Sequence, residues 1–176
     1  MKVKGITDEC FTDYKLPAMF IAVNSCSFKC DRENGCQLCQ NMALAREPDI
    51  EVSKESLIER FMLNPITKAI VFGGLEPFDS PVDLTSFIDC ARRQYHCMAP
   101  IVIYTGYTEE EIIEGKFKED NVALKTLVDF ILAQPNIVIK YGRFRPNQEP
   151  HYDEVLGVKL ASDNQYAKQY NFEEEK

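Results

Sequence analysis

Four cysteines crowd into the fourteen residues from Cys26 to Cys39, within the stretch CSFKCDRENGCQLCQN. Thiolates are soft anionic ligands, and cysteines paired at short spacing serve three chemistries: disulfides, tetrahedral zinc and iron-sulfur clusters. The spacing here is C-x3-C, then DRENG, then C-x2-C. The chain holds seven cysteines, an odd number that cannot all pair internally. Its start, MKVKGITDEC, has no apolar signal-peptide core, so a cytoplasmic, reducing location is expected, where disulfide frameworks are rare. Metal binding is then the favoured reading. All four thiols could close a zinc staple, or a subset could hold a cluster; the cysteines alone leave both open.

Further stretches carry groups suited to a ligand. FGGLEPF, from Phe72 to Phe78, sets a glycine pair beside a carboxylate. Glycines permit close backbone approach, and a carboxylate accepts from a bound ammonium group, although the same residues also describe a tight turn with a solvated glutamate. IVIYTGYTEEEI places Thr105 and Gly106 at the end of an apolar run, which equally suits a strand end with a core tyrosine. YGRF and LASDNQ follow, where Asn164 and Gln165 could simply satisfy backbone groups. Cys10, Cys90 and Cys97 read as structural thiols, and His96 and His151 receive no role.

The elements that must position these groups alternate along the chain. PAMFIAVN, Pro17 to Asn24, reads as a buried strand running into the cysteines. SKESLIERFML predicts a helix with Ser53 as N-cap and Leu57, Ile58, Phe61 and Met62 on one stripe. KAIVFGG is a second strand. PVDLTSFIDCARRQ is a helix with Leu84, Phe87, Ile88 and Ala91 on one face, and PIVIYTG is a third strand. Thr108 to Glu111 forms a capping box, NVALKTLVDFILA a longer helix, NIVIKYG a fourth strand, and VLGVKLA one more candidate strand. The closing NFEEEK reads as solvated and frayed. Such alternation predicts a parallel sheet with right-handed crossovers, whose four loops gather on the rim at the strand C-termini.

This arrangement resembles the radical S-adenosylmethionine (SAM) superfamily, whose signature is C-x3-C-x2-C after the first strand. CSFKC resembles the first pair and CQLC the last, with Leu38 in the apolar position before the last cysteine; the intervening DRENG and the surplus cysteine are departures. FGGLEPF resembles the Gly-Gly-Glu-Pro motif with Leu75 inserted. YTGY, YGRF and LASDNQ resemble elements of a narrower group, the activating enzymes of anaerobic (class III) ribonucleotide reductases, with Ala161 in place of a glycine. The resemblance implies a 4Fe-4S cluster held by Cys26, Cys30 and Cys39, the site's catalytic centre, with Cys36 able to replace Cys30. It implies cofactor contacts from Phe28, Leu38, Asn41, Gly73, Gly74, Glu76 and Thr105, with Gly73, Gly74 and Glu76 gripping the amine of SAM.

It further implies a partial, open parallel α/β barrel, and an activity that cleaves SAM reductively and leaves a glycyl radical on the catalytic subunit of anaerobic ribonucleotide reductase. A one-electron donor such as flavodoxin or ferredoxin would feed it. Other radical SAM targets remain open at this point, as does the zinc-stapled binding module. With 176 residues and no linker, a single domain over 1–176 is expected, its core about 17–165. The formal net charge of −8 argues against a nucleic-acid partner, and no apolar run is long enough to predict a membrane span.

Overall fold

A computed structural model of the protein describes residues 1–115 and 122–171. Four apolar runs form its centre: β2 (Ala18–Val23), β4 (Ala69–Gly73), β5 (Ile101–Tyr104) and β6 (Ile137–Tyr141). They are neighbours and mutually parallel, in the register Phe20 to Val71, Val71 to Val102 and Val102 to Val138. Strands buried on both faces gain from apolar residues at every position, which explains why each reads as a continuous run rather than an alternation.

Three further strands extend the sheet, and they make it mixed. β1 (Lys2–Cys10) pairs antiparallel with β2, β3 (Ile50–Glu51) pairs antiparallel with β1, and β9 (Tyr166–Tyr170) pairs antiparallel with β6. The order is β3-β1-β2-β4-β5-β6-β9. Two short strands stand apart as a hairpin, β7 (His151–Asp153) and β8 (Val158–Leu160); β8 lies within the candidate strand VLGVKLA.

Helices cover one face of the sheet. α3 (Lys54–Leu63) begins at Ser53, whose hydroxyl accepts from the Ser56 N–H at 3.0 Å. α4 (Pro81–Asp89) continues as a single π-helical turn over Cys90–Gln94, and α6 (Val122–Ala133) packs beside α4. Leu57, Ile58, Phe61, Leu84, Phe87, Ile88 and Ala91 meet Met19, Ile21, Ile70, Phe72, Ile101 and Ile137 there. Burying each such large side chain favours folding by about 1.5–3 kcal/mol. Met62 departs from the expected stripe and is 52% exposed. It lies one turn beyond the buried Ile58, at the C-terminal end of the helix.

The opposite face carries smaller residues. Ala18, Ala69, Val71, Val102 and Val138 pack under Tyr14, Leu156 and Leu160, from the 11–16 segment and the hairpin. Small side chains let this covering layer lie close, and towards the strand C-termini the cover gives way to a cavity. Of the structural thiols, Cys90 and Cys97 are buried and Cys10 is half-buried. The expected start of the α6 helix at Asn121 and the frayed end at 172–176 lie outside the described residues. Among the described residues no helix is long and apolar enough to cross a membrane.

Candidate metal centre

The cysteine loop leaves β2 and folds back on itself. Cys26 follows the strand, and Phe28 then takes a left-handed conformation (φ 52°) as N-cap of α1 (Lys29–Asn34), a short helix that carries Cys30 and closes at Gly35 with φ 67°. Asp31 accepts from the N–H groups of both Leu38 and Cys39 at 2.9 Å. This carboxylate draws the second pair back towards the first, so that 32–37 bulges outward. Cys26, Cys30, Leu38, Cys39 and Asn41 consequently line one cavity of about 440 Å³, while Cys36 is exposed and does not line it.

The second rim loop follows β4. Gly74 has φ 78°, and a Cβ there would stand 2.7 Å from the Leu44 side chain on α2 (Met42–Arg46), so only glycine fits. Its carbonyl accepts from the Asn41 side chain, which ties the glycine loop to the cysteine loop. Glu76 is buried and lines the cavity. Its Oε1 accepts from the Phe78 N–H at 3.1 Å and the Thr105 hydroxyl at 2.7 Å, and its Oε2 accepts from the Gly106 N–H at 2.8 Å. A carboxylate offers about four acceptor directions, so about one remains.

Lys140 is the group that sequence reasoning missed. It sits in β6 on the small-residue face, is buried, lines the cavity and donates to the Gly142 carbonyl at 2.8 Å. The signal was present as the single charge inside NIVIKYG, a run otherwise suited to full burial. Burial lowers the Lys140 pKa to about 8, against the opposing pull of Glu76 and Cys30. Burial likewise raises Glu76 to about 7, although the Gly106, Thr105 and Phe78 donors work against it. The cavity therefore holds an acid and a base of opposite sign, each near the edge of neutrality because water is excluded.

The thiols feel the same exclusion. Burial pushes Cys26 up to about 12 and raises Cys30 as well, each with its carboxylate and thiol neighbours adding to the shift. A bare thiolate is costly here, and a bound cation reverses that cost because a coordinated thiol is deprotonated outright. Among the described residues no three Cys, His, Asp or Glu side chains converge tightly enough to hold a single metal ion. An iron-sulfur cluster makes a different demand, since each thiolate meets its own iron and the three stand apart around a cavity. Cys26, Cys30 and Cys39 fit that demand.

A brace holds the cysteine loop from behind. Asp79 accepts the Ser27 N–H on one oxygen and the Tyr107 hydroxyl on the other at 2.7 Å. Thr108 and Glu111 complete the expected capping box of α5 (Glu109–Ile113). Glu111 also binds Lys29 of the cysteine loop, and it accepts from Arg143 at 2.7 and 2.8 Å. Arg143 reaches on to Glu33 at 3.1 Å. Burial would raise the Glu111 pKa, yet hydrogen bonds from Arg143, Lys29 and the Thr108 N–H outweigh it and hold the group at about 2.

Of the residues singled out from sequence, the cavity brings together Cys26, Cys30, Leu38, Cys39, Asn41, Gly74, Glu76 and Thr105. Phe28 and Gly73 are not among its lining residues; Phe28 shapes the loop backbone, and Gly73 allows the Phe20 ring to approach, since a Cβ would meet it at 3.2 Å. Asn164 and Gln165 satisfy backbone groups: Asn164 donates to the Arg143 carbonyl at 2.9 Å, and Gln165 accepts from Ala161 and Ser162 at 3.1 and 3.2 Å. A family model described as a 4Fe-4S single cluster domain matches residues 17–155, most of the chain and all of the cavity's cysteine wall. Neither the comparison with curated proteins nor that with solved structures found a match.

Proposed function

Because the chain belongs to the 4Fe-4S single cluster domain family, we propose that it is a radical SAM activating enzyme whose target is a glycine in the catalytic subunit of an anaerobic ribonucleotide reductase. The observation that carries this reading is the company the three thiols keep. One cavity offers Cys26, Cys30 and Cys39 together with a buried carboxylate, Glu76, and a buried ammonium, Lys140. A ligand that is itself an ammonium and a carboxylate, such as the methionyl end of SAM, complements that pair. On this reading the four parallel strands are part of the open barrel expected of the superfamily.

When bound, the cluster supplies one electron that splits SAM into methionine and a 5′-deoxyadenosyl radical, which takes a hydrogen atom from the target glycine and becomes 5′-deoxyadenosine. The chain's own residues have four tasks. Cys26, Cys30 and Cys39 would hold the cluster through their thiolates. Glu76 accepts from the ligand ammonium, and Lys140 faces its carboxylate. Gly74 and Gly106 let the ligand lie against the backbone, where side chains would displace it. Apolar walls from Phe20, Leu38 and Leu75 keep water from the reacting atoms. No acid–base pair is needed, and an external one-electron donor of the flavodoxin or ferredoxin type provides the electron.

The test is anaerobic incubation of the iron-loaded protein with SAM, a reductant and the catalytic subunits of candidate reductases, followed by electron paramagnetic resonance. A glycine-centred radical on the subunit, formed together with 5′-deoxyadenosine, is the expected result. SAM cleavage with no radical on any reductase would move the target to another glycyl-radical enzyme or to a small molecule.

A further inference from the structure

The cavity wall supplied by the hairpin is a strand edge. β7 and β8 make a two-stranded sheet of their own. β7 reaches the main sheet at its turn end, where the Asp153 carboxylate accepts from the Ala167 N–H of β9 at 2.9 Å. β8 lays Leu160 on the small-residue face and has β7 as its only ladder partner among the described residues; Val158, Lys159, Leu160 and Ala161 line the cavity that Cys26, Cys30 and Cys39 share.

The register fixes which main-chain groups face outward. His151 pairs with Leu160, Tyr152 with Lys159 and Asp153 with Val158. The turn closes with a bond from Gly157 N–H to Asp153 C=O at 2.7 Å, and the Ala161 N–H goes to the Gln165 side chain at 3.1 Å rather than back to β7. The hydrogen-bonded pairs therefore fall at His151–Leu160 and Asp153–Val158. Lys159, between them, turns its own N–H and C=O away from β7 along the free edge.

A glycine target poses a recognition problem that such an edge solves. Glycine has no side chain to grip, so it is distinguished by its main chain and by the absence of bulk, and an unpaired strand edge offers main-chain pairing alone. We infer that the β8 edge, centred on Lys159, is the docking strand for the glycine-bearing segment of the protein substrate, which adds to it in extended form and is thereby led past the three thiols. This inference rests on the proposed function for the chemistry of the target. The alternative use of a three-residue edge with an outward lysine is to discourage pairing of any kind.

Hydrogen exchange of the iron-loaded protein with SAM, with and without the reductase catalytic subunit, separates the two. The Lys159 amide is expected to exchange at least tenfold more slowly in the complex, in mixtures that also yield the glycyl radical. Lys159→Pro removes the edge N–H and is expected to slow radical formation about five- to tenfold at subsaturating partner. Lys159→Ala keeps the N–H and should form the radical at the rate of the unmodified protein, with iron measured in both variants. Equal loss in the two variants, or an unprotected Lys159 amide in a mixture that forms the radical, overturns the inference and leaves the proposed function standing; if Lys159→Pro loses iron, the exchange result decides. No radical on any reductase removes the reductase reading, and the inference with it.

Discussion

Glu76→Gln keeps the shape of the side chain and removes its charge. In the structure three donors already occupy the carboxylate: Phe78 N–H and the Thr105 hydroxyl on Oε1, and Gly106 N–H on Oε2. A glutamine oxygen placed at Oε1 keeps the first two, but its NH2 then faces the Gly106 N–H, a mismatch that costs about 1–3 kcal/mol of stability. Towards the ligand, the lost charge-assisted hydrogen bond is worth about 1.5–3 kcal/mol, or roughly a ten- to hundredfold drop in SAM affinity. The pH profile carries a second signature. Glu76 must be ionised to accept from an ammonium and titrates near 7, while Lys140 must be protonated and titrates near 8. SAM affinity should therefore rise as the pH climbs through about 7 and fall above about 8, and the variant should lose the acid limb while keeping the alkaline one. Equilibrium binding of SAM at pH 6, 7, 8 and 9, with iron measured in the same samples, reads both effects. Unchanged affinity and an unchanged acid limb at full iron loading would refute the role given to Glu76.

Replacing the cysteines one at a time should separate ligands from the surplus thiol: Cys26→Ala, Cys30→Ala and Cys39→Ala lose the cluster, while Cys36→Ala, changing a thiol outside the cavity, retains its iron. An iron-loaded Cys30→Ala beside an iron-free Cys36→Ala would reverse the middle assignment. Gly74→Ala should lower stability by about 1–3 kcal/mol through its positive φ and the 2.7 Å approach to Leu44, which thermal unfolding of the anaerobic protein would register. Glu111→Gln should cost about 1–2 kcal/mol near neutrality once partial exposure is allowed for. Because its folded pKa of about 2 lies below its usual 4.5, that contribution is complete above about 4.5 and disappears as the pH falls towards 2. Unfolding of the iron-free protein and of the variant should accordingly converge in acid, and a gap that persists at pH 2 would assign the effect to packing.

The parts of the fold legible in the sequence are those whose burial is two-sided. β2, β4, β5 and β6 appear as near-unbroken apolar runs because helices cover one face and the hairpin layer most of the other, leaving only Phe20 and Tyr104 half-buried. β1 and β9 escape notice for the converse reason: KVKGITDEC and YAKQY mix polar and apolar residues, since much of each strand faces solvent. The cysteine loop and FGGLEPF were legible as chemistry because their residue types are unusual in combination. Lys140 was hidden within a strand whose neighbours all signal core. The Asp79–Tyr107–Ser27 brace and the Glu111 network join residues 28 to 82 positions apart, and nothing in local spacing announces them. The exposed Cys36 is likewise settled by Asp31, whose two backbone bonds fold the loop so that Cys39 returns to the cavity and Cys36 does not.

The central claim is that three thiols around this cavity hold a cluster that turns SAM into a radical source. It is tested most directly by reducing the anaerobically iron-loaded protein in the presence of SAM and quantifying 5′-deoxyadenosine and methionine against iron content. The account predicts both products in equal amounts, in proportion to cluster loading, and none from Cys26→Ala or Cys39→Ala. A fully loaded, reduced cluster that leaves SAM intact would contradict it.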